Sequence, residues 1–121
     1  MSGPRPNASN PRHQRFLERR QKRDRDRELS DLRHVLSTDQ GRRVLWRLLE
    51  HCSVFRTIWD PSSRIHHNAG RQDVGHFVMA ELEEADEEAI YRMMREAKLR
   101  QRSEDAEFAA SLTPSAEERE P

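Results

Sequence analysis

A chain of 121 residues, 36% charged and 33% hydrophobic, has room for one domain and too little apolar material to bury most of itself, so part of it is expected to be disordered. Its single cysteine, Cys52, excludes an intrachain disulfide, and no run of 18 apolar residues is present to span a membrane. The 22 basic and 22 acidic side chains cancel only in total: residues 1–35 hold ten Lys/Arg against five acids, and residues 76–121 hold six against thirteen. That polarity suits the steering of partners or head-to-tail association, with solvated charge on helices and tails as the plainer explanation. The N-terminus shows no apolar segment of the signal-peptide kind, so a cytoplasmic location is the expectation.

In chain order, residues 1–11 are rich in Pro, Asn and Ser without apolar periodicity and read as a flexible segment. From Glu18 to Glu28 there is no apolar residue at all. Arg, Lys, Gln and Glu favour a helix there, but with nothing to pack it would project into solvent or meet a partner. Residues 1–28 are therefore read as a charged basic arm, helical or disordered from residue 12.

Leu29, Leu32, Val35 and Leu36 give the first core-like helical face. Ser37-Thr38-Asp39-Gln40 has the S-x-x-Q form of a capping box and predicts a second helix over about 38–52. On it Val44, Leu45, Leu48, Leu49 and Cys52 cover an arc of about 140°, with Arg43, Arg47 and Glu50 opposite. Residues 53–67 read as a loop folding back over the core with Trp59 as its lid. A third helix is predicted from Asn68, as N-cap, to Glu84, burying Gly70, Val74, Phe77, Val78, Leu82 and Ala85. Gly70 and Gly75 each cost about 1 kcal/mol in a helix; close approach of another backbone or a frayed first turn would account for them.

A fourth helix is predicted from near Asp86, with Ala89, Ile90, Met93, Met94 and Ala97 on one stripe and bases in its last turn suiting the helix dipole. After Ser103 the composition becomes acidic and small, predicting a disordered tail over 103–121. The fold expected is all-α, a compact bundle of about four helices over 29–102. Such a core yields only a few kcal/mol of net stability, which homo-oligomerisation would supplement.

Candidate chemistry is sparse. His66, His67, Asn68, Asp73 and His76 lie close together, but no H-E-x-x-H, C-x-x-C or three-ligand helical spacing supports zinc. Cys52 follows His51 directly, too close for an activated thiol, and sits on the apolar stripe as a buried inert residue. No nucleophile elbow or dinucleotide fingerprint is present. No catalytic residue, metal or cofactor is expected, and the chain is read as non-enzymatic. The N-terminal arm, with Arg12, Arg15, Arg19, Arg20, Lys22 and Arg23, is the candidate nucleic-acid contact. Asp24, Asp26 and Glu28 dilute its field, and Phe16 is the only aromatic there for stacking.

Two blocks carry a resemblance. Gly41 to Thr57 reads GRRVLWRLLEHCSVFRT, and Asn68 to Gly75 reads NAGRQDVG at the start of a helix. Together they resemble the Bbp-nineteen-like family of small proteins from tailed bacteriophages and prophages, over about residues 29–97. The matching positions are Gly41, Arg42, Arg43, Trp46, Leu49, Cys52, Val54, Phe55, Arg56, Asn68, Gly70, Arg71, Val74 and Gly75. The sequence departs at Ala69, Gln72 and Asp73, where the family pattern has Glu, Arg and Asn. The last two changes remove positive character and weaken any phosphate-binding role for that helix start. The resemblance implies a phage gene of the head-assembly and packaging neighbourhood. It further implies a structural or accessory role with head, portal or packaging proteins as partners, in the host bacterial cytoplasm or in the virion. Two readings of Arg42, Arg56 and Arg71 stand side by side. They turn inward onto helix-terminal carbonyls, the preferred reading, or they form one exposed patch for a carboxylate or phosphate.

Overall fold

Helix formation begins where the sequence first offers a cap. In the computed structural model, which describes residues 3–114, the Asn10 side chain accepts a hydrogen bond from the Arg12 amide at 2.9 Å and Pro11 occupies the first helical position. Helix α1 then runs unbroken over Pro11–Leu36. Three more helices follow: α2 over Asp39–His51, α3 over Arg64–Ala85 and α4 over Ala89–Ser111. The described residues contain no strand, and the architecture is all-α.

The charged stretch before Leu29 is continuous with the folded unit, because it packs through ion pairs where apolar contacts are lacking. Arg25 donates to Glu81 at 2.6 Å and Glu84 at 2.5 Å on α3, and to Glu28 at 3.0 Å on its own helix. Arg33 Nε donates to the Ala85 carbonyl at 2.7 Å, satisfying the C-terminal end of α3. N-terminal to Arg25, α1 makes only local polar contacts, such as Arg23 with Asp24 and Arg20 over the Phe16 ring.

The Arg25 bond holds the Glu84 carboxyl below its ordinary value, while Arg25 itself is pushed further up by Glu81, Glu84 and Glu28. A carboxyl depressed in the native state stabilises above its unfolded pKa and loses that contribution as the pH falls through its native one. Arg25 stays charged throughout. Hydrogen-exchange protection across residues 20–28 is therefore expected to hold from neutral pH down to about pH 4.5, the ordinary glutamate value, and to be lost progressively below it. In an Arg25→Gln variant it should be low already at neutral pH and change little.

Thr38, not Ser37, caps α2: its hydroxyl accepts from the Gly41 amide at 3.0 Å, while Ser37 Oγ donates back to the His34 carbonyl at 2.6 Å and closes α1. The two-residue connection turns α2 against α1. At its other end Ser53 takes a left-handed φ of 57°, which stops the helix. The loop does not place Trp59 over the core. That side chain is 71% exposed, because Asn68 Nδ2 and Gln72 Nε2 hold the loop by its carbonyls at Ile58, Ser53 and Arg56 and leave the indole outside.

Helix α3 starts four residues before the predicted Asn68 cap. Asp60 accepts from the Ser62 amide and hydroxyl, and Ser62 Oγ accepts from the Arg64 amide, so the turn after Pro61 nucleates it. Its buried side is narrower than predicted: Gly75, Leu82 and Ala85 are buried, whereas Gly70, Val74 and Phe77 are exposed. Asp86 accepts from the Glu88 amide and launches α4. That helix continues past residue 102 through Ser111, since Glu104, Ala106, Glu107, Ala109 and Ala110 are good helix formers and Gln101 bonds Asp105. The predicted tail is thus helical to Ser111, and its residues 115–121 lie outside the described residues.

The core gathers Leu36, Leu49, Leu82, Ala85, Ala89, Ile90 and Met93 from all four helices. Leu49, Leu82 and Met93 are its fully buried centre.

Candidate partner-binding groove

The charged residue at the centre of the fold is Arg42, 3% exposed in the first turn of α2. Its guanidinium donates to the Leu36 carbonyl at 2.7 Å, to Asp39, and through Nε to both Glu96 oxygens at 2.8 and 3.2 Å. Arg92 approaches the same Glu96 at 3.1 Å. One side chain thereby ties the end of α1, the start of α2 and the middle of α4. Arg42 is a strut.

Its neighbours serve differently. Arg43 and Arg47 face outward one turn apart on α2, and Trp46 lies half-buried between them. Trp46 stacks on Phe55 at 5.3 Å between centroids and 27° between planes. Phe55 and Arg56 arrive here because Gln72 holds the Ser53 and Arg56 carbonyls at 2.9 and 3.1 Å. The far wall comes from α4, with Met94, Ala97, Lys98 and Gln101 lining a groove of about 420 Å³. A contiguous depression shares Trp46 and Glu50 and adds Arg43, Val44, Arg47 and Arg100. The floor is aromatic and apolar, and the rim carries Arg43, Arg47, Arg56, Lys98 and Arg100 against Glu50 alone. Among the described residues none of these five cations is ion-paired.

The other motif residues support this arrangement. Cys52 is buried at the end of α2. A Cβ at Gly75 would fall on Val54 Cγ1 and 2.6 Å from Cys52 Cβ, so the glycine lets α3 close on α2. Asn68 accepts from Arg71 Nη2 at 3.3 Å, and Arg71 Nε is buried without a partner. Gly70 faces open space. Arg42, Arg56 and Arg71 therefore do not share one patch: Arg42 points inward, Arg56 is exposed at the groove, and Arg71 sits half-buried on α3.

The two glycines predict opposite outcomes for the same substitution. Gly75→Ala overpacks by about 1–3 kcal/mol, exceeding the helical gain, and lowers the denaturation midpoint. Gly70→Ala in open space raises it, stabilising by about 0.5–1 kcal/mol through helix propensity. Urea titration of both variants checks the pair.

A family model, Bbp19-like phage protein, matches residues 32–95. The chain belongs to this family. No curated protein and no solved structure matches it. The match spans the end of α1, all of α2 and α3 and the first turns of α4, which includes Arg42, Trp46, Phe55 and Met94. The basic N-terminal part of α1 and the acidic C-terminal part of α4 lie outside it.

A second surface opens between α1, α2 and α3. Leu32, Val35, Leu45, Leu48, Phe77 and Val78 line a groove of about 450 Å³ rimmed by Glu28, Asp31 and Glu81. Phe77 is 64% exposed there. The six cations of the arm, Arg12, Arg15, Arg19, Arg20, Lys22 and Arg23, are all solvent-facing on α1, remote in sequence from either groove. Among the described residues no three His, Cys, Asp or Glu side chains are placed to share a metal, and no helix is long and apolar enough to cross a membrane.

Met94, Lys98, Arg100 and Gln101 line the groove without having been candidate site residues in the sequence, where Met94 belongs only to an apolar stripe. Lys98 and Arg100 signalled only a helix C-terminus in the sequence, and their partners across the groove lie about fifty residues away.

Proposed function

We propose that this phage protein is a non-enzymatic accessory of virion assembly that works without a cofactor by binding other phage proteins of the head, portal or packaging machinery. The observation that carries the reading is the unpaired cationic rim around the stacked Trp46 and Phe55. An accessible aromatic floor with Arg at its edge has the composition of protein-binding hot spots, which a partner would desolvate. The chemistry it selects is an acidic segment with an apolar anchor. The protein then resides in the host cytoplasm during assembly, or in the finished particle.

Quantitative mass spectrometry of purified particles, with the lysate as reference, tests this reading. Enrichment in particles or assembly intermediates is the expected result. Abundance in the lysate with no association to any phage protein would contradict it.

A second reading, nucleic-acid binding by the arm, rests on one observation: Arg12, Arg15, Arg19, Arg20, Lys22 and Arg23 line a helical stretch that makes no tertiary ion pair through them among the described residues. It predicts salt-dependent binding of DNA or RNA. Because α1 is continuous and Arg25 clamps α3, the test is charge reversal of Arg15, Arg19 and Lys22, not deletion of the arm. A low-salt gel assay without any shift would sink it.

A further inference from the structure

The geometry points to a second copy of this chain as an occupant of the cationic groove, through the C-terminal stretch of α4, residues 103–112; the inference rests on the groove being a protein-binding site. That stretch is exposed throughout and contacts no other helix through a hydrogen bond or ion pair. Between Ser103 and Pro114 it carries Glu104, Asp105 and Glu107 and no Lys or Arg. Glu104, Phe108 and Leu112 succeed one another at four-residue spacing and form one stripe on the helix. Phe108 and Leu112 are 66% and 67% exposed. An amphipathic helix with an acidic, aromatic face is left unpartnered.

The groove complements it in each respect. Its α2 wall from Arg43 to Glu50 is about 10 Å long, and the stripe from Glu104 to Leu112 about 12 Å. Trp46, Phe55 and Met94 offer the apolar floor for Phe108 and Leu112, and Arg43, Arg47, Lys98 and Arg100 face the acids. The segment cannot reach its own groove. Gln101 of α4 already lines that groove, and the unbroken helix carries Phe108 about 10 Å further along the axis. The basic stretch of α1, by contrast, is repelled by the cationic rim. Donor and acceptor surfaces differ, so each copy offers one of each, and a reciprocal pair of copies would engage both.

The test is sedimentation equilibrium of the full chain from about 1 to 200 µM, the range of a modest helix-in-groove contact. The wild type is expected to exceed its 14.3 kDa monomer mass as concentration rises, less so in high salt. Arg43→Glu with Arg47→Glu, or Glu104→Arg with Asp105→Arg, each weakens association at least about tenfold, and combining the two pairs restores it. All four residues are exposed and outside the core, so circular dichroism stays helical. A monomeric wild type, association indifferent to both reversals, or association abolished by nuclease would overturn the proposal. A monomer that still captures a phage protein through Arg43 and Arg47 overturns self-association and leaves the groove reading intact. Charge-rescued self-association in a protein that captures no phage component supports the proposal while the assembly reading fails.

Discussion

Replacing Arg42 with methionine is expected to lower the unfolding free energy by about 3 kcal/mol. The guanidinium is buried, and its loss strands the Leu36 carbonyl and leaves the half-buried Glu96 to Arg92 alone. The cost comes from the orphaned partners more than from the pair itself. Arg42→Met combined with Glu96→Met should therefore lose less than the sum of the two single changes. Arg43→Met, one residue along on the exposed side of α2, should stay within about 0.5 kcal/mol of wild type. Denaturant titration of the four variants decides the matter, and equal effects at 42 and 43 would contradict the strut.

Gly41→Ala is expected to destabilise by about 2 kcal/mol, although a glycine-to-alanine change inside a helix ordinarily stabilises by about 1 kcal/mol. A Cβ at Gly41 falls on the Val35 carbonyl oxygen and within 2.9 Å of its carbon. The obstacle is backbone, so no rotamer relieves it. The end of α1 would have to move, and that end is held by the Arg42 bond to Leu36 and by the Thr38 cap on Gly41 itself. For a domain of this size the loss corresponds to a fall in Tm of roughly 8–16 °C, read by calorimetry. Gly70→Ala is the control, because the same methyl group meets nothing there.

The number of helices and the bounds of α2 were legible from apolar periodicity, because Leu45, Leu49 and Cys52 do face the core. Periodicity failed where packing is polar. The stretch before Leu29 belongs to α1 through Arg25 and its two α3 carboxylates, and long-range ion pairs leave no period to read. It failed again at Phe77, since amphipathic spacing cannot tell a buried face from an exposed apolar one, and the lid expected of Trp59 had only its size to rest on. The inward turn of Arg42 was open beside its alternative, and only the meeting of three helices decides it. Arg43, Trp46, Phe55 and Arg56 entered through the resemblance. Nothing in the sequence indicated that Lys98 and Arg100 would complete their groove, because that depends on how α4 crosses α2.

The role proposed for the Trp46–Phe55 groove is to bind a phage protein through its cationic rim. Affinity capture from the phage lysate, with the wild type and the Arg43→Glu, Arg47→Glu variant compared by quantitative mass spectrometry, tests it most directly. The wild type is expected to retain a head, portal or packaging protein, and the variant, still folded by circular dichroism, to lose it. Equal recovery of the same partner by both proteins would contradict the claim and place the contact on another surface.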